Sequence, residues 1–439
     1  MTSTLDHPIL SNAAPVDVVV RPGTRHSASS QTVKPQTGKP QTVKPQTVKP
    51  QPPHVATARL QLSTKAAALV LRTARVSGPV FRDDAAALTG LSISTVNRQV
   101  SALLKAGLIR ERADLTPPGA VGRPRVPFEV NTDGFLTIGI HIGYAVTSIT
   151  THDLQHRVAG AISIPTPQAD TPEEVVAQIG ASARRFADRW VGKRLLWAGV
   201  AIGGRVAEGG TVDHPRLGWE GVPVGRVVAE ALGLPVSVAS HVEAMAAAEQ
   251  VVNPADQSQN FLYFYAREMV GIAFSVDGAV HTPAAGPPTI GHFPTGPTKL
   301  LDPDRTGRLE QAVSDSGILR AAQHAGLEIT SLDELRAAAR TGNTVANDIL
   351  TERGEVLGRT VALIADIFNP DHVILGGQAF TDYPEALPAV SKSLRATTVI
   401  TQRDVRVARS AITVQQKAAG AVALDALYAD PLDALTYTA

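Results

Sequence analysis

The spacing of apolar positions changes character twice along the 439 residues, and each change marks a boundary. Over residues 1–59 apolar side chains are sparse, and four pentads from Gln31 to Pro50, QTVKP QTGKP QTVKP QTVKP, place a proline at every fifth position. Proline removes a backbone donor, and a stretch with little to bury cannot offset the entropy of ordering, so a disordered tail is expected here. Lys34, Lys39, Lys44 and Lys49 recur along it. From Leu60 to Val130 the spacing turns to threes and fours. STKAAALVLRTARV predicts one amphipathic helix, and FRDDAAALTG a second that stops at Gly90, a residue suited to the left-handed conformation at a helix end. In LSISTVNRQVSALLKAGLI, Ser92 predicts an N-cap, Ile93, Val96, Val100, Leu103 and Leu104 fall on one face, and Gly107 closes the helix.

Two helices joined by a short turn, the second with a buried stripe, predict a helix-turn-helix. Its outer face carries Ser94, Thr95, Asn97, Arg98 and Ser101, hydrogen-bonding side chains of a length that reaches base edges and phosphates. Two short extended runs around a Pro/Gly-rich loop then predict a β wing. The loop contains GRPR, in which the thin backbone presents Arg123 and Arg125 to a narrow minor groove. Beyond about Asn131 strand-like segments (TIGIHIG, LLWAGVAIGG, FLYFYA, HVILGG) alternate with helical ones such as TPEEVVAQIGASARRFADRWV. That alternation predicts an α/β domain over 131–430, followed by a C-terminal tail at 431–439. A hairpin signature near Gly139 recurs near Gly271, which predicts two halves of similar build.

Charge sharpens this division. Residues 1–130 hold 17 Lys and Arg against 7 Asp and Glu, an excess of +10, whereas the remaining 24 against 33 give −9. A basic front and an acidic back point to a polyanion partner at the front. The chain has no cysteine, which excludes disulfides, thiolate nucleophiles and cysteine-ligated zinc. No secretory signal or run of roughly 20 apolar residues is present, so a cytoplasmic protein without a membrane partner is expected.

The order of GIHIGYAVT, GVAIGGRV, RLGWEGVPVG, LGLPVSVASHVEAMAAAE, GIAFSVDGAV, IGH and FNPDHVILGG behind TGLSISTVNRQVSALLKAGLI and GRPR resembles the ROK family of bacterial repressors and sugar kinases, from Lys65 to Tyr428. The resemblance implies a winged helix-turn-helix in front of an actin-like, ribonuclease-H-like two-lobed domain that supplies dimerisation. It implies double-stranded DNA as partner, through an approximately palindromic operator bound by a homodimer or tetramer. It also implies a comparison with family kinases. Where these place a carboxylate and a second glycine in the first hairpin, this chain has His141 and Tyr144, a phenol expected in phosphate space. Where they carry Asn-Asp for general-base catalysis, it has Ser240 and His241, and the second hairpin carries Glu268 and Met269. No phosphoryl transfer and no cofactor are therefore expected.

By the same resemblance the sugar pocket corresponds to Arg216, Ser240, His241, Thr289, His292 and Glu310, of which only the last two match the family. Such a set suits an anionic effector paired with Arg216, or no ligand at all. Leu301, Pro303 and Arg308 stand where the cysteines of a zinc knuckle would fall, so no metal is expected, with Asp302 and Asp304 as solvated loop residues. A DNA-binding transcription regulator is the leading expectation; the alternatives are a sugar kinase with a DNA-binding appendage, and a non-specific architectural DNA-binding protein.

Overall fold

The computed structural model describes residues 54–116, 125–252, 260–400, 404–408 and 411–438, so the Lys/Pro repeats and Arg123 lie outside the described residues. After a short strand, β1 (Val55–Thr57), come three helices, α1 (Ala66–Ser77), α2 (Arg82–Thr89) and α3 (Ile93–Lys105), and a two-stranded ribbon, β2 (Ile109–Glu111) and β3 (Phe128–Val130). The first lobe follows: β4 (Phe135–Ile142), β5 (Val146–His152), β6 (Val158–Pro165), α4 (Pro172–Ala187), β7 (Arg194–Ile202), β8 (Arg205–Val206), β9 (Val212–His214), β10 (Trp219–Val222), α5 (Val224–Leu232), β11 (Val236–Ser240) and α6 (His241–Val252). The second lobe comprises β12 (Phe261–Ala266), β13 (Val270–Val276), β14 (Ala279–Val280), α7 (Leu309–Val313), α8 (Asp315–His324), α9 (Leu332–Arg340), α10 (Thr344–Phe368), β15 (His372–Gly376), α11 (Gln378–Thr381), α12 (Leu387–Thr397) and β16 (Asp404–Val407). Helices α13 (Ala411–Ala429) and α14 (Pro431–Ala434) close the chain.

The helix-turn-helix forms where its signals stand. Gly90 ends α2 at φ 70°, and the Ser92 side chain accepts a hydrogen bond from the Thr95 backbone N–H. Val96, Val100 and Leu103 are fully buried against Val70, Leu71 and Ala74 of α1 and Phe128 of β3. Ile93 departs from the expected stripe. It is 45% exposed because it lines an open groove between the first turn of α3 and the ribbon side of the unit.

The two lobes share one plan. Strands run β11-β7-β4-β5-β6 in the first sheet and β16-β15-β12-β13-β14 in the second, with an antiparallel hairpin (β4/β5, β12/β13) beside parallel strands in each. The first sheet gains a sixth strand, β1, paired in parallel with β11 from Val55↔Val236 to Thr57↔Val238. The expected tail over residues 1–59 is thus too long. Its last residues are sheet, and Leu60 is 3% exposed while Gln61 bridges Ala279 of the second lobe. Likewise 431–439 is no free tail: Pro431 and Ala434 are buried, and Tyr437 stacks on His54 at 4.0 Å.

Helix α13 ties these parts together. Gly139 and Gly199 are neighbours on β4 and β7, and a Cβ at Gly199 would sit 2.1 Å from the Ala423 nitrogen. Only a bare backbone lets the helix lie this close to the sheet. Farther along, Leu424 and Leu427 enter the same core cluster as Val100 and Leu103, so the helix-turn-helix core is continuous with the α/β body.

Candidate nucleic-acid interface and interlobe site

Helix α3 presents Ser94, Asn97, Arg98 and Ser101 to solvent, whereas Thr95 is half-buried and its hydroxyl lies 2.9 Å from that of the Ser92 cap. Asn97 and Ser101 share a groove with Arg125, whose guanidinium stands 5.2 Å from the Phe81 ring and 2.6 Å from Asp83. The structure therefore brings three of the predicted contacts together, leaves Arg98 and Ser94 exposed on the same helix, and does not describe Arg123. Sequence reasoning missed the ribbon arginines. Arg110 and Arg112 each pair with Glu129, at 2.8 and 2.9 Å, and Arg82 pairs with Glu111 at 2.9 Å. Among the described residues Arg98 has no such counter-ion.

The interlobe residues are organised differently. Ser240 ends β11 and His241 opens α6; the His241 ring stacks on His141 at 5.8 Å and lies 5.7 Å from Tyr265. Burial, then the charge of Arg267, pushes His141 down to about 4. Burial, then His141 and His214, pushes His241 down to about 3. Both rings are neutral at pH 7, and neither Nε2 has a hydrogen-bond partner in the protein. A base held that low takes a proton poorly at neutral pH. Glu243, on the first turn of α6, was not singled out from the sequence although it sits in the same motif. It is 6% exposed, and burial raises its carboxyl to about 7.

Arg216, expected to pair with an anionic effector, is paired here within the protein. Its Nη2 donates to Glu310 at 2.7 Å and to the Glu268 carbonyl at 3.3 Å, and its Nη1 lies 3.6 Å from the Glu268 carboxylate. One arginine from the first lobe is thereby spent on two carboxylates of the second. Glu268 in turn accepts hydrogen bonds from the Ser316 N–H at 2.9 Å and hydroxyl at 3.0 Å, filling the N-terminus of α8 with the protein's own anion. Glu310 packs against Gly291, where a Cβ would come within 2.5 Å of its Oε2. Neighbouring His292 and Thr289 are exposed, Thr289 bridging to Gly271. Tyr144, expected in phosphate space, stands 73% exposed on the β4–β5 turn.

The loop that corresponds to the zinc knuckle is held by carboxylates. Asp302 is 6% exposed, not solvated as expected, and accepts from Thr306 and Gly307 at 2.6–3.0 Å. Glu352 accepts from the Leu300 and Leu301 N–H groups at 2.8 and 3.2 Å. Backbone donors gathered on buried acids give the turn an internal anchor.

Comparisons with known proteins agree with this architecture. The ROK family model matches residues 137–427. The transcriptional regulator Rv0485 of Mycobacterium tuberculosis is 49% identical over 398 residues, 87% of this chain and 90% of the relative. The DNA-binding transcriptional repressor Mlc of Escherichia coli is 24% identical over 352 residues, 76% and 86% of the two chains. Among solved structures, a ROK family transcriptional regulator homologous to the E. coli protein superposes with a TM-score of 0.73 at 22% identity, over 85% of this chain and 98% of its own. A ROK hexokinase from Thermus thermophilus reaches 0.55 at 24% identity, over 66% and 97%. With a family model spanning most of the α/β body and a relative of nearly full length at 49% identity, this chain belongs to the ROK family.

Proposed function

We propose that the chain is a sequence-specific DNA-binding transcription regulator whose kinase-like cleft performs no phosphoryl transfer. The observation that carries the reading is the face of α3: Asn97, Arg98 and Ser101 stand exposed on a helix whose opposite side is locked into a core shared with α13. A reading head built this way has a fixed orientation and uncommitted donors, which direct readout requires. The names of its relatives, a transcriptional regulator and a DNA-binding repressor, support the same function.

The cleft supports the negative half of the proposal. His241 is a weak base where family kinases use aspartate, and Glu268 already fills a helix N-terminus with negative charge. A triphosphate approaching that carboxylate is repelled. Any effector that enters between the lobes must replace the Arg216–Glu310 pair, and a thermal-shift screen of sugars, sugar phosphates and acidic metabolites checks whether one does. No helix among the described residues is long and apolar enough to cross a membrane, in line with a protein that works in the cytoplasm. A symmetric homodimer or tetramer predicts an approximately palindromic operator with half-sites a whole number of turns apart. Genome-wide footprinting followed by gel shifts with Arg98→Ala tests the reading surface. The absence of any footprint, together with hexose-stimulated ATP hydrolysis, would overturn the proposal in favour of a kinase.

A further inference from the structure

Where the reading head meets the α/β body, three helices face one another with alanines: Ala68 of α1, Ala247 of α6 and Ala421 of α13. Side chains that stop at Cβ cannot fill the space between three helix axes, and a small cavity of about 50 Å³, open to solvent on one side, is left there. Leu60 and Leu71 add apolar wall, and the segment that crosses from the first sheet to the second forms one rim.

Most of the polar side chains around this cavity have partners within the protein. Asp425 accepts the Arg59 and Leu60 N–H groups at 2.8 and 2.9 Å. Tyr428 donates its hydroxyl to the Leu154 carbonyl at 3.0 Å, and Gln250 donates to Ser275 at 2.7 Å. Arg75 donates to the Val251 carbonyl at 2.8 Å and lies 4.9 Å over the Tyr428 ring. Arg72, one helical turn before Arg75 on α1, lines the same cavity half-buried and has no hydrogen bond or ion pair among the described residues. Burial and the like charge of Arg75 both disfavour its charged form, which an arriving anion would relieve.

We infer that this junction cavity is a binding site for a small amphipathic monocarboxylate, with the carboxylate on the Arg72 guanidinium and the short alkyl body among the three alanines, Leu60 and Leu71. A neutral sugar is disfavoured, because beside the alkyl surface and Arg72 the other polar groups of the lining are largely bonded within the protein. The site is separate from the interlobe pocket, where Arg216 is already neutralised. Its position gives it leverage. The α1 helix that forms one wall packs through Leu71 and Ala74 against the α3 core, while α6 opens at His241 between the lobes, so a ligand held among α1, α6 and α13 favours one placement of the reading head over others.

The test uses the full chain without DNA, which keeps it independent of whether the operator reading is right. Calorimetric titration with straight-chain carboxylates from acetate to octanoate, and with primary alcohols of the same lengths, should show saturable binding that tightens with chain length until the cavity is full. Matched alcohols and the Arg72→Gln variant should bind at least about tenfold more weakly, the loss of one charge-assisted hydrogen-bonded pair. Ala247→Leu, which fills the cavity and leaves Arg72 in place, should remove the dependence on chain length. Equal binding by wild type and Arg72→Gln, equal binding of acids and alcohols, or no saturable binding by any member of the series overturns the inference.

Discussion

Charged side chains on the outer face of α3 and those between the lobes obey opposite rules. On α3, Arg98 stands exposed without a counter-ion among the described residues. Between the lobes, Arg216 is shared by Glu310 and Glu268, and Glu268 is bonded again to Ser316. Arg98 thus differs both from Arg125, which Asp83 neutralises at 2.6 Å, and from the interlobe arginine, whose charge is satisfied internally. The contrast also separates the two regions chemically: residues 60–130 contain no histidine, whereas His141, His214 and His241 cluster at the interlobe site.

That clustering gives the largest expected effect. His141 falls from 6.5 to about 4 on folding because the charged ring is excluded by burial. A depressed value means that its contribution is complete above pH 6.5 and is lost as pH falls towards 4. The loss amounts to as much as about 3 kcal/mol. His152 and His156, also depressed by burial, add the same sign, while Asp425 and Glu243, raised to about 6 and about 7, contribute stability that is lost as pH rises. The informative experiment therefore compares wild type with His141→Gln by chemical denaturation from pH 7.5 to 4.5. The variant should lose less stability on acidification, and parallel curves would show that the ring takes up its proton as readily in the folded protein as in the unfolded chain.

Arg98→Ala carries the next largest effect, about 1–3 kcal/mol of operator affinity with unfolding unchanged, because the side chain is exposed and the role proposed for it is a base contact. A gel-shift titration beside a melting curve separates the two quantities. Smallest is Arg216→Ala. The pair it breaks is partly exposed, 46% and 27%, so stability should move by no more than about 1 kcal/mol. Hexose-stimulated ATP hydrolysis should not emerge, since Glu268 still caps α8. Detectable turnover in that variant would mean that the ion pair alone had been restraining a competent site.

What was legible in the sequence was local. The Val96, Val100 and Leu103 stripe, the Ser92 cap and the Gly90 stop are set by neighbours within a turn or two, and all stand where the spacing placed them. Ile93 obeyed the same spacing yet is exposed, because periodicity says which face a residue occupies and not whether another element reaches that end of the helix. The misread features depend on distant partners. Val55–Thr57 become a strand only because β11 lies beside them, some 180 positions along the chain. Asp302 in a Pro/Gly-rich turn looked solvated until its own backbone folded over it, and Arg216 looked available until Glu310 arrived from the other lobe. The Lys/Pro repeats and Arg123 lie outside the described residues, and their assigned roles rest on composition.

The central claim is that a specific reader of duplex DNA sits on a cleft that has ceased to act on nucleotides. Its most direct test is the affinity of the purified full chain for a footprinted promoter fragment and for a scrambled duplex of equal length, at one fixed salt concentration. The account predicts a preference of at least about a thousandfold for the promoter fragment, the range typical of specific regulators. Equal affinities for the two duplexes would contradict it.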